Sequence, residues 1–278
     1  MLFSQRHVFK GVRKVLQFEG IDDNLRIGLW NVMYKDCLFP VQGEMLINSG
    51  ITKFVECLWT DIFKYPVDER PLTWDLIHDL KKYHFEREWY EIYDLIEYIL
   101  KNYPNTSNYL RDRFNTVLQQ GYSAYRFIGK ELSPIVSDEE IELIDEVIAG
   151  EGGSNYAAQH IQNALSLLSE RENPDYRNSI KESISAVESI CKTIIGDSDA
   201  TLGRALKRIQ STGIITLHPD LNEGLKRLYF YTSDADGIRH ALKDAPNVDF
   251  EDAKYMLVMC SSFVKYLSSK AQKAGLYI

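Results

Sequence analysis

The sequence predicts an all-α protein of two domains, with a small β-hairpin in its N-terminal half. Three observations carry that expectation. Apolar residues recur at three- and four-residue steps, as in Trp89, Ile92, Tyr93, Ile96 and Ile99, or Ile180, Ile184, Val187, Cys191 and Ile194. That spacing places them on one face of a helix. Residues 122–136 read differently, with Tyr125–Ile128 and Leu132–Val136 as two strands flanking Gly129-Lys130-Glu131, a short hairpin signal. The run Gly150-Glu151-Gly152-Gly153-Ser154 then interrupts the helical pattern and marks a junction.

Taken in order, Val12, Val15, Leu16 and Phe18 give a first short helix an apolar side before Gly20. Asp22 or Asp23 caps a second, carrying Leu25, Leu29, Trp30, Met33 and Tyr34. Residues 71–101 read as one long helical region between Pro71 and Pro104. In the hairpin, Pro134 confines the second strand to an edge. Ser137 and Glu140 have capping-box spacing ahead of Ile141, Ile144 and Val147.

The second half is more regular. Helices are expected at 155–170, at 175–195 after the Asn173-Pro174-Asp175 turn, at 201–210 ending before Gly213, and at 219–230. A final helix begins at Asp249 and is apolar almost all round through Met256, Leu257, Met259, Cys260, Phe263, Val264 and Leu267. Such a helix belongs in the middle of a bundle. The expected domains are residues 1–150 and 155–278.

Composition narrows the function. Hydrophobic residues are 45% and charged residues 26% of the chain, the profile of a protein with a full core. A net charge of −8 argues against a surface built for tight, unspecific nucleic-acid binding, although 32 Lys and Arg leave room for a local basic pocket. Cys37, Cys57, Cys191 and Cys260 share no short spacing, and the six histidines complete no zinc pattern. No metal and no cofactor is expected. The opening Met-Leu-Phe-Ser-Gln-Arg-His lacks a signal-peptide run, and no segment reaches the ~18 apolar residues of a membrane span. A reducing cytoplasm is the expected location.

One constellation is dense in functional groups: Tyr231-Thr232-Ser233-Asp234-Ala235-Asp236-Gly237-Ile238-Arg239-His240. Arg239 offers a rigid cationic fork for phosphate, and His240 exchanges a proton near neutral pH. Together they suit RNA cleavage, in which a base activates the ribose 2′-hydroxyl and a cation stabilises the crowded phosphorus. A structural reading stands beside this one, with Arg239 paired to Asp234 or Asp236 and His240 bonded to a carbonyl. Spacing alone favours the structural reading.

A second feature is the polar side of helix 175–195, where Asn178, Lys181, Glu182, Ser185 and Glu188 lie opposite the apolar row. It is either a solvated face or a partner of the Arg-His turn. Arg204, Lys207 and Arg208 form a small basic strip with the same ambiguity. Gly150-Glu151-Gly152-Gly153 lacks the Lys-Ser/Thr of a phosphate loop. His7, His78, His84 and His160 are scattered and read as surface or internally satisfied residues.

The runs Asn173 to Ser183, Leu228 to Ser233, Gly237-Ile238-Arg239-His240-Ala241 and Phe250-Glu251-Asp252-Ala253 resemble the C-terminal domain of AbiJ-type abortive-infection proteins. Leu25-Arg26-Ile27-Gly28-Leu29-Trp30-Asn31, Tyr125-Arg126-Phe127-Ile128 and Pro134-Ile135 resemble an AbiJ N-terminal domain. The likeness implies phage defence by host shutdown, with a HEPN-like helical bundle as effector and the N-terminal domain as sensor or restraint. HEPN ribonucleases act as metal-independent dimers, with their active residues at the dimer interface. A homodimer through the C-terminal bundle, an RNA substrate and a phage-derived trigger or partner defence protein are therefore expected.

On this reading Arg239 and His240 are catalytic, oriented by Asn178, Glu182 and Asp236. Lys181, Arg177, Tyr231, Thr232 and Ser233 bind the substrate. The usual HEPN signature sets the His a few residues after the Arg, whereas Arg239 and His240 are adjacent here. A catalytically silent dimerisation or RNA-binding module is accordingly the alternative. Nucleotide-dependent modification of a target is a third reading, with no nucleotide motif behind it.

Overall fold

A computed structural model describes residues 16–38, 53–54, 56–69, 73–103, 108–150, 154–170, 173–233 and 248–276. They are mostly helical, with one two-stranded antiparallel sheet. The chain divides into two compact units, residues 1–134 and 135–278.

In the first unit, helix α1 spans Asp23–Val32, and Asp22 caps it by accepting the Leu25 N–H at 2.9 Å. It widens into a π-helical turn over Met33–Leu38. A second π turn, Leu58–Ile62, a short 3₁₀ turn, Val67–Glu69, and helices α2 (Thr73–Glu86), α3 (Trp89–Asn102) and α4 (Asn108–Gln120) follow. Leu29, Met33, Leu58, Ile92, Leu95, Ile96 and Phe114 are at most 1% exposed and form the centre of the core. α1 crosses α4 closely at Gly28, where an added Cβ would lie 2.6 Å from Val117 Cγ1.

Three sequence expectations change here. Leu16–Phe18 is not helical; Gln17 forms an isolated parallel bridge with Ser123 and Phe18 is exposed, while residues 12–15 lie outside the described ones. The expected helix 71–101 is two helices. Glu88 is extended between them, and Glu91 accepts its N–H at 3.0 Å. Arg26 of α1 donates to the carbonyls of His84 and Arg87, at 2.6 and 2.9 Å, so a distant guanidinium satisfies the end of α2. α4 was not anticipated at all.

The hairpin pairs β1 (Arg126–Ile128) with β2 (Glu131–Ser133), in the register Arg126 to Ser133, Phe127 to Leu132 and Ile128 to Glu131. Gly129, with φ of 57°, takes the left-handed turn position. β2 stops before Pro134, which donates no backbone hydrogen bond.

The second unit holds α5 (Asp138–Ile148), α6 (Asn155–Ser169), α7 (Tyr176–Ile195), α8 (Leu202–Thr212), α9 (Pro219–Ser233) and α10 (Phe250–Lys273). Side-chain caps start α5, α6, α7, α8 and α10: Ser137, Ser154, Asp175, Thr201 and Asp249 each accept a backbone N–H from three residues on. Gly196 and Gly213 end α7 and α8 in the left-handed conformation.

α10 packs on α5, α6 and α7, with Met256, Leu257, Cys260, Val264 and Leu267 buried, while Tyr255 is 63% exposed. The unit boundary falls ahead of the expected break at 150–154 because α5 turns Ile141, Ile144 and Val147 inward and packs on α6 and α10. Lys254 and Lys265 of α10 pair with Glu140 and Glu146 of α5. Glu140 thus serves α10 rather than completing a capping box with Ser137, whose hydroxyl accepts only the Glu140 N–H.

Candidate functional site

The polar side of α7 is built by the way α6 and α7 meet. Asp175 caps α7, accepting the Asn178 N–H at 3.0 Å and the Asn178 side-chain amide at 2.6 Å. Its own N–H donates to the Leu167 carbonyl of α6 at 3.1 Å. Further along, the Ser179 hydroxyl donates to the Ala164 carbonyl at 2.7 Å, and Ser179, Ser183, Ala157, Ala164 and Ala186 are fully buried. Small side chains let the two helices approach closely. The consequence is a side-chain pair across the seam: His160 Nδ1 lies 2.7 Å from Glu182 Oε2.

This pair is half-open to solvent, with side-chain exposures of 35% for His160 and 24% for Glu182. Lys181 is exposed, and its carbonyl accepts the Ser185 hydroxyl at 2.9 Å. Arg177 is half-buried at the start of the helix. Glu188 faces elsewhere, accepting the Leu202 N–H at 3.1 Å and pairing with Lys192 at 2.8 Å. It fastens α8 to α7.

The expected site residues therefore fall into three groups. Glu182 is joined to a histidine, but to His160. Asn178 is held by Asp175, and Lys181 and Arg177 lie on the same helix. Tyr231, Thr232 and Ser233 occupy the last turn of α9. Asp236, Arg239 and His240 lie outside the described residues.

Sequence reasoning took His160 for a scattered histidine. The signal that finds it is symmetry: His160 and Glu182 each lie eleven residues from position 171, as Leu167 and Asp175 each lie four. In an antiparallel helix pair with a short connection, such residues face one another.

Other reactive groups are accounted for by burial. Cys191 and Cys260 are fully buried; burial pushes the Cys191 thiol up to about 12, with the Glu188 charge adding to it, and raises the Cys260 thiol as well. Neither is a thiolate at neutral pH. Among the described residues, no group of three or more His, Cys, Asp or Glu is placed to hold a metal ion, and no helix is long and apolar enough to cross a membrane.

In the first unit, a shallow cleft is walled by Phe63, Tyr65 and Tyr83, with Asp79, Lys82 and Arg87 at its edge. The Arg87 guanidinium sits over the Tyr83 ring at 5.2 Å. Burial, aided by the nearby Glu91 charge, pushes the Tyr83 hydroxyl up to about 12.

Residues 1–149 match the family described as AbiJ N-terminal domain 4. The chain belongs to that family. The AbiJ match covers the whole first unit and runs on through α5. It suggests a defence-system context for the protein. No curated protein and no solved structure matches the chain.

Proposed function

We propose that this AbiJ-family chain is an antiviral effector acting by abortive infection, and that its C-terminal helical unit is a HEPN-like, metal-independent endoribonuclease. The observation that carries the reading is the AbiJ match over residues 1–149. It agrees with the resemblance of the remaining sequence to the effector half of AbiJ-type proteins.

In this reading the first unit senses a phage-derived trigger or restrains the effector, and two copies associate through their C-terminal bundles in the cytoplasm. Arg239 binds and stabilises the phosphate, and His240 exchanges the proton. Asp236, Asn178 and Glu182 orient them, while Arg177, Lys181, Tyr231, Thr232 and Ser233 hold RNA. What α7 contributes to the case is a carboxylate, Glu182, already engaged with an imidazole at 2.7 Å on a surface open to solvent. Oriented imidazoles of that kind serve acid–base chemistry.

A silent dimerisation or RNA-binding module is the second reading. It is favoured by the structural duties of Asn178 and Ser185, which bond within α7 and its cap. The test is total RNA and tRNA incubated with the full-length protein in EDTA, wild type beside Arg239→Ala. Cleavage leaving 2′,3′-cyclic phosphate ends, lost in the variant, is the expected result. RNA retention without turnover, in vitro and in phage-challenged cells, selects the silent module.

A further inference from the structure

We propose that His160, held by Glu182, is the proton acceptor of the C-terminal unit and acts on the 2′-hydroxyl of a single-stranded RNA. The inference rests on the ribonuclease reading above, moves the role of base from His240 to His160 and that of Glu182 to holding His160, and adds a substrate subsite on the α6–α7 face.

The geometry fixes the chemistry of the ring. Glu182 Oε2, 2.7 Å from His160 Nδ1, is a carboxylate oxygen that accepts, so the pair is made with the hydrogen on Nδ1. In the neutral imidazole Nε2 then presents its lone pair. It has no bonding partner among the described residues, and about a third of the side chain is open to solvent. Carboxylate, Nδ1–H and a free Nε2 are the arrangement that keeps a general base in the right tautomer and stabilises the imidazolium once it forms.

The surroundings suit an RNA strand. Tyr156, one turn before His160 on α6, is 72% exposed, the most open large hydrophobic side chain among the described residues. Exposed aromatic rings stack on unpaired bases. Lys181, beside Glu182 on α7, is exposed and has no ion-pair partner among the described residues, which leaves its ammonium for a phosphate. A purely structural clip between two helices requires neither of these neighbours.

The step balances without a cofactor. Nε2 of His160 takes the 2′-hydroxyl proton, and the 2′-oxygen forms a bond to the adjacent phosphorus. The bond from phosphorus to the 5′-oxygen breaks, and that oxygen takes a proton from solvent. The products are a 2′,3′-cyclic phosphate and a 5′-hydroxyl, and the imidazolium returns its proton to water. Glu182 is a positioning residue, since it touches the imidazole and not the RNA.

Two measurements on the full-length protein test the proposal. The first is the tautomer of His160, read from long-range ¹H–¹⁵N correlations of the wild type. Nδ1–H is expected, and Glu182→Gln is expected to shift the ring towards the other form while Glu182→Asp retains it. A ring protonated on Nε2 in the wild type overturns the proposal, whether or not RNA is cleaved.

The second is cleavage in EDTA and in phage-challenged cells. His160→Gln, matched to the wild type in helical content and melting, should cleave at least about a hundredfold more slowly. Wild-type rates in His160→Gln remove His160 from the mechanism and leave the ribonuclease reading standing. No cleavage by the wild type in either setting removes both.

Discussion

His84 shows how far one buried side chain sets the behaviour of the first unit. It is fully buried against Trp30 and Phe85, with Nε2 donating to the Arg26 carbonyl at 2.7 Å and Nδ1 unbonded. Burial pushes it down to about 4, and the hydrogen bond to Arg26 offsets only part of that. In the unfolded chain the same ring titrates near its ordinary value of 6.5. Between those values the unfolded state binds a proton that the folded state refuses. Stability present above pH 6.5 is thus lost progressively as pH falls towards 4. At about 1.4 kcal/mol per unit, the loss is on the order of 3 kcal/mol. Urea denaturation of the wild type should follow that slope, and His84→Gln, which keeps a donor for Arg26, should flatten it. A wild type of constant stability over the window refutes the assignment.

The hairpin shows how elements are held by side chains from other elements. A two-stranded ribbon leaves both edges with unpaired backbone groups and is marginal alone. Here Asn115 of α4 closes one edge as a strand would: its amide donates to the Phe127 carbonyl at 2.9 Å and its oxygen accepts the Phe127 N–H at 2.7 Å. Glu97 of α3 accepts the Leu132 N–H at 2.9 Å. Asn115→Ala should therefore cost about 1–3 kcal/mol by chemical denaturation, since two backbone groups beside a fully buried ring lose their partners. A change below a few tenths would mean that water replaces the amide there.

For the molecule as a whole, the question is where one unit ends. The family match stops at residue 149, whereas compactness divides the chain at Pro134. α5 lies between the two limits, and its Ile144 and Val147 are buried in a helix that packs on α6 and α10. A fragment of residues 135–278 should fold cooperatively, as judged by circular dichroism and a single melting transition. A fragment beginning at 154 bares the apolar face that α5 covers and should melt lower or associate. Equal stability of the two fragments would place α5 with the N-terminal domain in energetic terms.

The sequence by itself determined the helical class and the starts of α1, α5, α7, α8 and α10, because caps and apolar periods are local and act through neighbouring residues. It also located the hairpin and the polar side of α7 on which Glu182 stands. Tertiary structure decided what depends on residues far apart. The break between α2 and α3 is sealed by Arg26, some 58 and 61 positions from the carbonyls it satisfies. α4 declares itself through Phe114, Leu118 and the seat it offers Gly28. His160 meets Glu182 only because Ser179, Ser183 and the facing alanines let α6 and α7 close together. A hydrogen bond depends on where two atoms sit in space, and local spacing along the chain does not supply that.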